Sequence, residues 1–292
     1  MSISGFINVF KPPHISSNGV VVKVRGAIRS RIATPKVGHC GTLDPAGMGV
    51  LPIAVGKATK LFDYMLSFDK SYRAEFSFGV TTDSLDSYGA VTDREPSGYI
   101  QENTVRTILL DLCGDILQYP PKYSAKMING TRSYDLARAG VDVQLTPKKV
   151  HIDSIEYVRR TGDASFVFDI RCSSGTYIRS ICRDMATKLG TIGYMSWIIR
   201  TECHGFSLNE AIPLDKVCSD PLSYIQPIES VIPDVQHINV DERYEKEIMN
   251  GCVVPANGVA DGEYFAFMRG KLIGLTTVSD ERAKIGVWLY DN

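Results

Sequence analysis

Five glycines and two prolines punctuate residues 38–60, GHCGTLDPAGMGVLPIAVGKATK, and Asp44 is the only acid among them. Glycine and proline at this density read as a loop, so the rest of the fold has to be arranged around it. The surrounding charge is one-sided. Residues 1–60 hold eight lysines and arginines against Asp44 alone, a net +7, whereas residues 231–292 hold ten acids and six bases. A basic run is commonly a solvated helix face, but beside a glycine-rich loop it points as strongly to an anionic partner such as nucleic acid.

Two phosphate-binding readings of the loop fail on spacing. AVGKATK ends like a P-loop, yet Leu51 stands where the first glycine is required and Ala58 where a Ser or Thr would meet magnesium. GMGVLP begins like a dinucleotide fingerprint, but Pro52 takes the place of the third glycine. What remains is Asp44, biased to extended backbone by Pro45. Gly38, Gly41, Gly47 and Gly49 around it permit close approach of a ligand or a second backbone. For an isolated Asp-Pro the ordinary role is an Asx-turn. A second cluster argues for more. In CSSGTYIRSICRD, Arg179 and Arg183 fall at i and i+4 near the start of an expected helix. Like charges so spaced repel, and the helix macrodipole disfavours cations there. Such an arrangement suggests an anionic partner, and Asp44 is a candidate.

Elsewhere the periodicities alternate between the two classes. SGFINVFKPP reads as a strand, and Ser16, Ser17 and Asn18 offer caps for a helix to about Arg29 with Val20, Val21, Val24 and Ile28 on one face. SYRAEFSFGV, HIDSIEYVRR and ASFVFDIRC read as strands, and TTDSLDSYG as a turn. ENTVRTILLDLCG has helical spacing with Gly114 as its cap, and QYPPKYSAKMING reads as extended and exposed. TYIRSICRDMATKLG has helical spacing stopped by Gly190. The prolines of SYIQPIESVIPD mark a boundary near residue 230, after which short strands suggest a small barrel.

Hydrophobic residues at 44% of 292 are ample for a core, with one large domain and a smaller one expected. Seven cysteines without a CxxC pair predict reduced thiols and neither a disulfide framework nor a metal site. Without a signal-like N-terminus or an apolar run of about 18 residues, a cytoplasmic protein is expected.

The motifs taken together resemble the TruB family of tRNA pseudouridine synthases. GHCGTLDPAGMGVLP resembles the family pattern G-H-T-G-T-L-D-P-x-A-x-G-V-L-P, and FKPPHISS resembles K-P-x-G-x-S-S. YRAEFSFGVTTDSLDSYG keeps the family spacing of Tyr72, Gly79, Thr82, Asp83, Asp86 and Gly89. PPKYSAKMINGTRSYDLARAG and CSSGTYIRS match two further blocks, so the likeness runs from about residue 5 to 210. Cys40, Gly47 and Met48 depart from the pattern, and Ile198, Ile199 and Arg200 replace Leu-Arg-Arg, one basic residue fewer.

The resemblance implies an α+β fold: a mixed, mainly antiparallel central sheet flanked by helices over residues 1–230, with an RNA-binding insertion at about 98–150. A PUA-like β-barrel over residues 231–292 would follow. It implies isomerisation of the uridine at position 55 of the tRNA T-arm loop to pseudouridine by base flipping, without cofactor or metal. Asp44 would be the catalytic carboxylate, Arg179 its partner, and Tyr72 a ring stacked on the flipped uracil whose oxygen helps move the proton from carbon 5. His39 would fill the vacated space and Asp86 contact extruded nucleotides. Lys11 and Lys126, with Lys23, Lys57, Lys60 and Arg132, would meet phosphates, and Tyr177 and Ile198 join the RNA-binding set. A monomer without an obligate protein partner is expected. Two alternatives stand beside this reading: a guide-RNA-dependent synthase, and a tRNA-folding chaperone acting without chemistry.

Overall fold

The computed structural model describes residues 3–32, 36–123, 127–128, 131–133, 141, 145–232 and 235–290. Its first strands are β1 (Gly5–Lys11), β2 (Val37–His39), β3 (Met48–Val55) and β4 (Lys70–Phe78). A hairpin of β5 (Val80–Thr82) and β6 (Val91–Arg94), the strand β7 (Gly114–Gln118) and a hairpin of β8 (Met127–Ile128) and β9 (Thr131–Arg132) follow. Then come the long hairpin β10 (Lys148–Gly162) and β11 (Ser165–Cys172), β12 (Gly193–Cys203), and the short β13 (Phe206–Ser207) and β14 (Ile212–Pro213). Ten of these form one sheet in the order β14-β1-β3-β12-β4-β11-β10-β7, with β2 on β3 and β13 on β12. Within it β1–β14 and β3–β12 are parallel and the remaining pairs antiparallel. This is the mixed, mainly antiparallel α+β arrangement that the sequence implies.

The alternation in β4 is physically what it suggested: Tyr72, Ala74, Phe76 and Phe78 all turn inward. They meet Phe166, Phe168 and Ile170 of β11 and the Ile178, Ile181, Cys182 and Met185 face of the helix Ile178–Lys188. That helix stops at Gly190, whose φ is +70°. There Gly190 N–H donates to Thr187 O at 3.1 Å and Thr191 N–H to Ala186 O at 3.0 Å, the paired bonds of a Schellman ending. The helix Ser17–Arg29 starts at Ser16, whose hydroxyl accepts from Gly19 N–H at 3.0 Å. Its Val20, Val21, Val24 and Ile28 pack on Ile7, Val9, Leu51 and Ile53 of β1 and β3.

Three local expectations change. The glycine-rich segment is not loop throughout, because β3 runs through Pro52 in the middle of the sheet. Pro52 is tolerated because its carbonyl, accepting from Cys40 N–H at 2.8 Å, faces the edge where β2 ends and β12 has not begun. The missing N–H therefore breaks no ladder bond. Gly114 is not a helix cap: the helix ends at Ile108, a short 3-10 turn follows, and Gly114 opens β7 at φ +88°. QYPP is exposed only at Tyr119, for Gln118, Pro120 and Pro121 are buried. Gln118 exchanges both amide bonds with Tyr177, Oε1 accepting from its N–H at 2.8 Å and Nε2 donating to its carbonyl at 3.2 Å. This clamp seats the chain against the start of the helix Ile178–Lys188.

A second sheet follows near the C-terminus: β15 (Gln236–Asn239), β16 (Val254–Pro255), β17 (Gly262–Met268), β18 (Lys271–Ser279) and β19 (Arg282–Trp288), in the order β15-β17-β18-β19-β16. It is a curled, PUA-like half-barrel. One side, with Phe265 and Leu275, and the following Leu289 share a core cluster with Phe6, Cys40, Val50 and Leu61 of the large body. The other side, with Tyr264, Ala266, Met268, Ile273 and Val278, packs on Ile248 and Val254. Lys60 Nζ, expected at RNA, donates to Trp288 O at 2.8 Å and helps join the two.

Candidate active site

Asp44 occupies the first position of a tight turn, Asp44-Pro45-Ala46-Gly47, closed by Gly47 N–H donating to Asp44 O at 3.0 Å. Proline is pre-set for the second position of such a turn. The backbone carbonyl thus makes the turn and leaves the carboxylate for other work. Immediately after it, Gly49 has φ +105°, and a Cβ there would stand 2.3 Å from Arg200 O. Only glycine lets β3 approach β12 so closely.

The loop is held from beneath through its carbonyls. Lys11 Nζ donates to the carbonyls of Pro12 at 3.0 Å, Pro45 at 3.3 Å and Gly47 at 2.5 Å. Arg200 donates through Nε to Val50 O at 2.7 Å, Nη2 to Gly41 O at 3.2 Å and Nη1 to Thr42 O at 3.4 Å. Both cations are fully buried. Burial lowers the Lys11 amine to about 8, with Asp44 pulling it up and Arg200 pushing it further down. Ser17 completes the frame: its hydroxyl accepts from Leu43 N–H and donates to Leu43 O, each at 2.8 Å. His14 N–H donates to Pro45 O at 2.9 Å.

From the other side comes Arg179, in the first turn of the helix Ile178–Lys188. Its Nη2 lies 2.9 Å from Asp44 Oδ2 and its Nη1 3.5 Å from Asp86 Oδ2. Nη1 also donates to Ser84 O at 2.9 Å and Nη2 to Tyr123 O at 3.0 Å. The guanidinium side chain is 5% exposed, Asp86 9% and Asp44 37%. One buried cation therefore bridges a buried carboxylate and one that faces solvent. Asp86 is fixed in turn, its Oδ1 accepting from Ser84 Oγ at 2.6 Å and Tyr88 N–H at 3.0 Å. The cost of placing an arginine at a helix start is offset by two acids. Arg183, the other member of the i, i+4 pair, instead bonds its neighbour Asp184 at 2.8 Å and Tyr119 O at 3.2 Å.

Asp44 opens into a cavity of about 1300 Å³ lined among others by His39, Leu43, Asp86, Tyr88, Tyr123 and Arg179. His39 reaches it from the end of β2, half-buried. Tyr72 does not line this cavity. It is packed in the core with Leu43 and Ile198 and faces Arg200, and burial pushes its phenol well above the usual range against the opposing pull of that guanidinium. Ile198 lies below the turn, its Cγ2 3.2 Å from where a Cβ on Gly47 would stand. Tyr177 is spent on the Gln118 clamp through its backbone and caps the Arg179 helix. Lys11, expected at a phosphate, is turned beneath the loop instead, where it donates to the carbonyls of Pro12, Pro45 and Gly47. Lys126 lies outside the described residues. Lys23 is exposed on the helix Ser17–Arg29. Cys40, at the usual Thr position, is buried with its thiol raised to about 12, an inert core group.

Sequence reasoning missed Ser17 and Arg200 as loop supports. The signal for Arg200 is an arginine inside the apolar run WIIRTEC, where burial is more natural than a surface contact. Among the described residues no group of three or more His, Cys, Asp or Glu side chains is placed to hold a metal ion. No helix among them is long and apolar enough to cross a membrane. A half-exposed carboxylate fixed by its backbone and charge-paired through one oxygen is equipped to meet an electron-deficient carbon in a pocket of nucleotide size.

The chain is similar to known proteins along most of its length. The chain is 34% identical to the tRNA pseudouridine synthase B of Streptococcus sanguinis, with 97% of this chain and 98% of that one covered. It is 36% identical to that of Clostridium kluyveri over the same shares and 37% identical to that of Caldanaerobacter subterraneus over 86% of both chains. In fold it is similar to a chain of a Cbf5-Nop10-Gar1 complex, with a TM-score of 0.70 at 23% identity over 94% of this chain and 78% of that one. A chain of an H/ACA RNP bound to a substrate RNA containing 2'-deoxyuridine gives 0.72 at 19% identity over 98% and 85%. The N-terminal domain of the TruB family pseudouridylate synthases matches residues 29–178, a span that begins before the Asp44 loop and ends one residue short of Arg179. With that match and with relatives aligned end to end, the chain belongs to the TruB family of pseudouridylate synthases.

Proposed function

We propose that this protein converts a uridine of tRNA to pseudouridine, at position 55 in the T-arm loop, with Asp44 as the reacting carboxylate. The observation that carries the reading is the Asp44–Arg179 pair at 2.9 Å on the wall of a cavity large enough for a nucleotide. In the reaction the N1–C1′ bond breaks, the C5–C1′ bond forms, C5 loses its proton and N1 gains one, so no redox partner or transferred group is needed. A uridine within a folded loop must leave its stack to enter, at a cost of a few kcal/mol. Arg179 keeps a counter-charge on Asp44 once RNA has excluded water. Tyr72, a neutral phenol packed with Leu43 and Ile198, supports the pocket floor from the core. His39 stands beside the entrance, where it occupies space vacated by the flipped base. The end-to-end likeness to relatives named for tRNA favours unguided action on tRNA.

The test is an unmodified tRNA transcript incubated with the purified protein and mapped for pseudouridine. The expected product is a single site in the T-arm loop. Asp44→Asn is expected to abolish product while tRNA affinity stays within several-fold. Substantial turnover by that variant removes Asp44 from the chemistry, and strict dependence on a guide RNA and partner proteins overturns unguided action.

A further inference from the structure

On the outer side of the Asp44 turn, two exposed rings stand together, and one of them, Tyr88, lines the cavity. His14 belongs to the link between β1 and the helix Ser17–Arg29 and has φ +67°, in the region where glycine is the usual occupant. Its N–H is tied to Pro45 O at 2.9 Å, next to the reacting carboxylate. Its ring centroid lies 5.6 Å from that of Tyr88, with planes tilted by 37°, and Nδ1 is hydrogen-bonded to the Tyr88 hydroxyl. Tyr88 is 52% exposed and lines the cavity, and its own N–H is held by Asp86 Oδ1 at 3.0 Å. Each ring is thus fixed through its backbone to one side of the Asp44–Arg179–Asp86 cluster, and neither fills a core.

An exposed aromatic ring that is rigidly mounted at a pocket mouth offers a π-face to solvent. Nucleobases stack on such faces irrespective of sequence, and surface rings of this kind are the common device for holding unstacked bases. We infer that Tyr88, braced by His14, forms a stacking shelf for a nucleobase flanking the uridine that enters the cavity. The inference rests on the proposed action on a uridine in RNA. It makes Tyr88 a binding residue for the neighbouring nucleotide and His14 its positioning residue.

Two substrates and three variants test it: tRNA, tRNA with single abasic nucleotides beside the target uridine, and Tyr88→Ala, Tyr88→Phe and His14→Gly. Tyr88→Ala is expected to raise the Kd for tRNA about tenfold, in the range of one lost base–aromatic stack. Tyr88→Phe keeps the ring but loses the hydroxyl's bond to His14, so it and His14→Gly each lose affinity by several-fold, less than Tyr88→Ala. One abasic position weakens wild-type binding by the same factor as Tyr88→Ala, and the two losses do not multiply. Unchanged affinity in Tyr88→Ala, a loss confined to the rate, or losses that multiply at every abasic position would each overturn the shelf. Absence of pseudouridine with wild-type protein would instead sink the proposed function, so the two failures are distinguishable.

Discussion

Replacing Arg200 by methionine separates the support of the catalytic loop from the stability of the fold. Arg200 is fully buried and donates to three loop carbonyls, at 2.7, 3.2 and 3.4 Å. A hydrogen bond from a charged group contributes about 1.5–3 kcal/mol, so the two shorter bonds together are worth roughly 3–6 kcal/mol counted singly. Against this stands the desolvation of a guanidinium that no carboxylate pairs among the described contacts, a cost of several kcal/mol that the methionine removes. The two nearly offset, and a net loss of roughly 1–3 kcal/mol is expected in urea unfolding. Catalysis has no such offset. The carbonyls of Gly41 and Thr42 lose their anchor, and the turn that carries Asp44 is free to shift. A displacement of about 1 Å at a reacting group costs on the order of 100-fold in rate. Release of the C5 hydrogen from isotopically labelled uridine in tRNA measures that rate, and filter binding measures affinity. The expected pattern is kcat down about 100-fold with affinity within several-fold. Retention of more than half of wild-type kcat refutes the reasoning, as does a stability loss so large that it accounts for the missing activity.

Arg179→Met leaves Asp86 buried without its cation and is expected to cost about 3–5 kcal/mol in urea unfolding, whereas Arg183→Met, which breaks only the partly exposed pair with Asp184, costs under about 1 kcal/mol. The Lys11 amine, ordinarily near 10.5, titrates at about 8 in the folded protein. Between those values the unfolded chain binds more protons, so this group's contribution to stability rises with pH across the window while the loop loses a cation. The pH–rate profile should therefore fall above about pH 8 without a matching fall in the urea midpoint, and the limb should vanish in Lys11→Met. Phe265→Ala empties part of the cluster shared by both sheets and is expected to cost about 3–5 kcal/mol. Fluorescence of single-tryptophan variants keeping Trp197 or Trp288 should report one common transition, shifted equally.

The site was legible where a residue's cost pointed to its partner. Two arginines at a helix start are unfavourable on local grounds alone, and one of them does lie on Asp44. Local reasoning has no means of choosing Arg179 over Arg183, because the choice depends on Ser84, Asp86 and Tyr123, which are distant in sequence. The strand β3 stayed hidden because Pro52 and the glycines carry loop signals, and only the gap between β2 and β12 makes a proline harmless there. Lys11 resembled an RNA-facing cation for the same reason. A basic residue in a cationic segment is ordinarily solvated, and nothing local shows that loop carbonyls lie above it. The period-two strand β4 and the capped helix Ser17–Arg29 were readable because burial and hydrogen bonding there are set within the segment itself.

The small C-terminal sheet packs Phe265 and Leu275 against the large body and its opposite side around Ile248. One strip is left open, since Glu263, Thr277 and Lys284, cross-strand neighbours in β17, β18 and β19, are exposed. The turn at Asp280 and Glu281 is acidic and Arg269 is already paired with Glu242 and Glu245, so these two turns are poorly suited to grip a phosphate backbone.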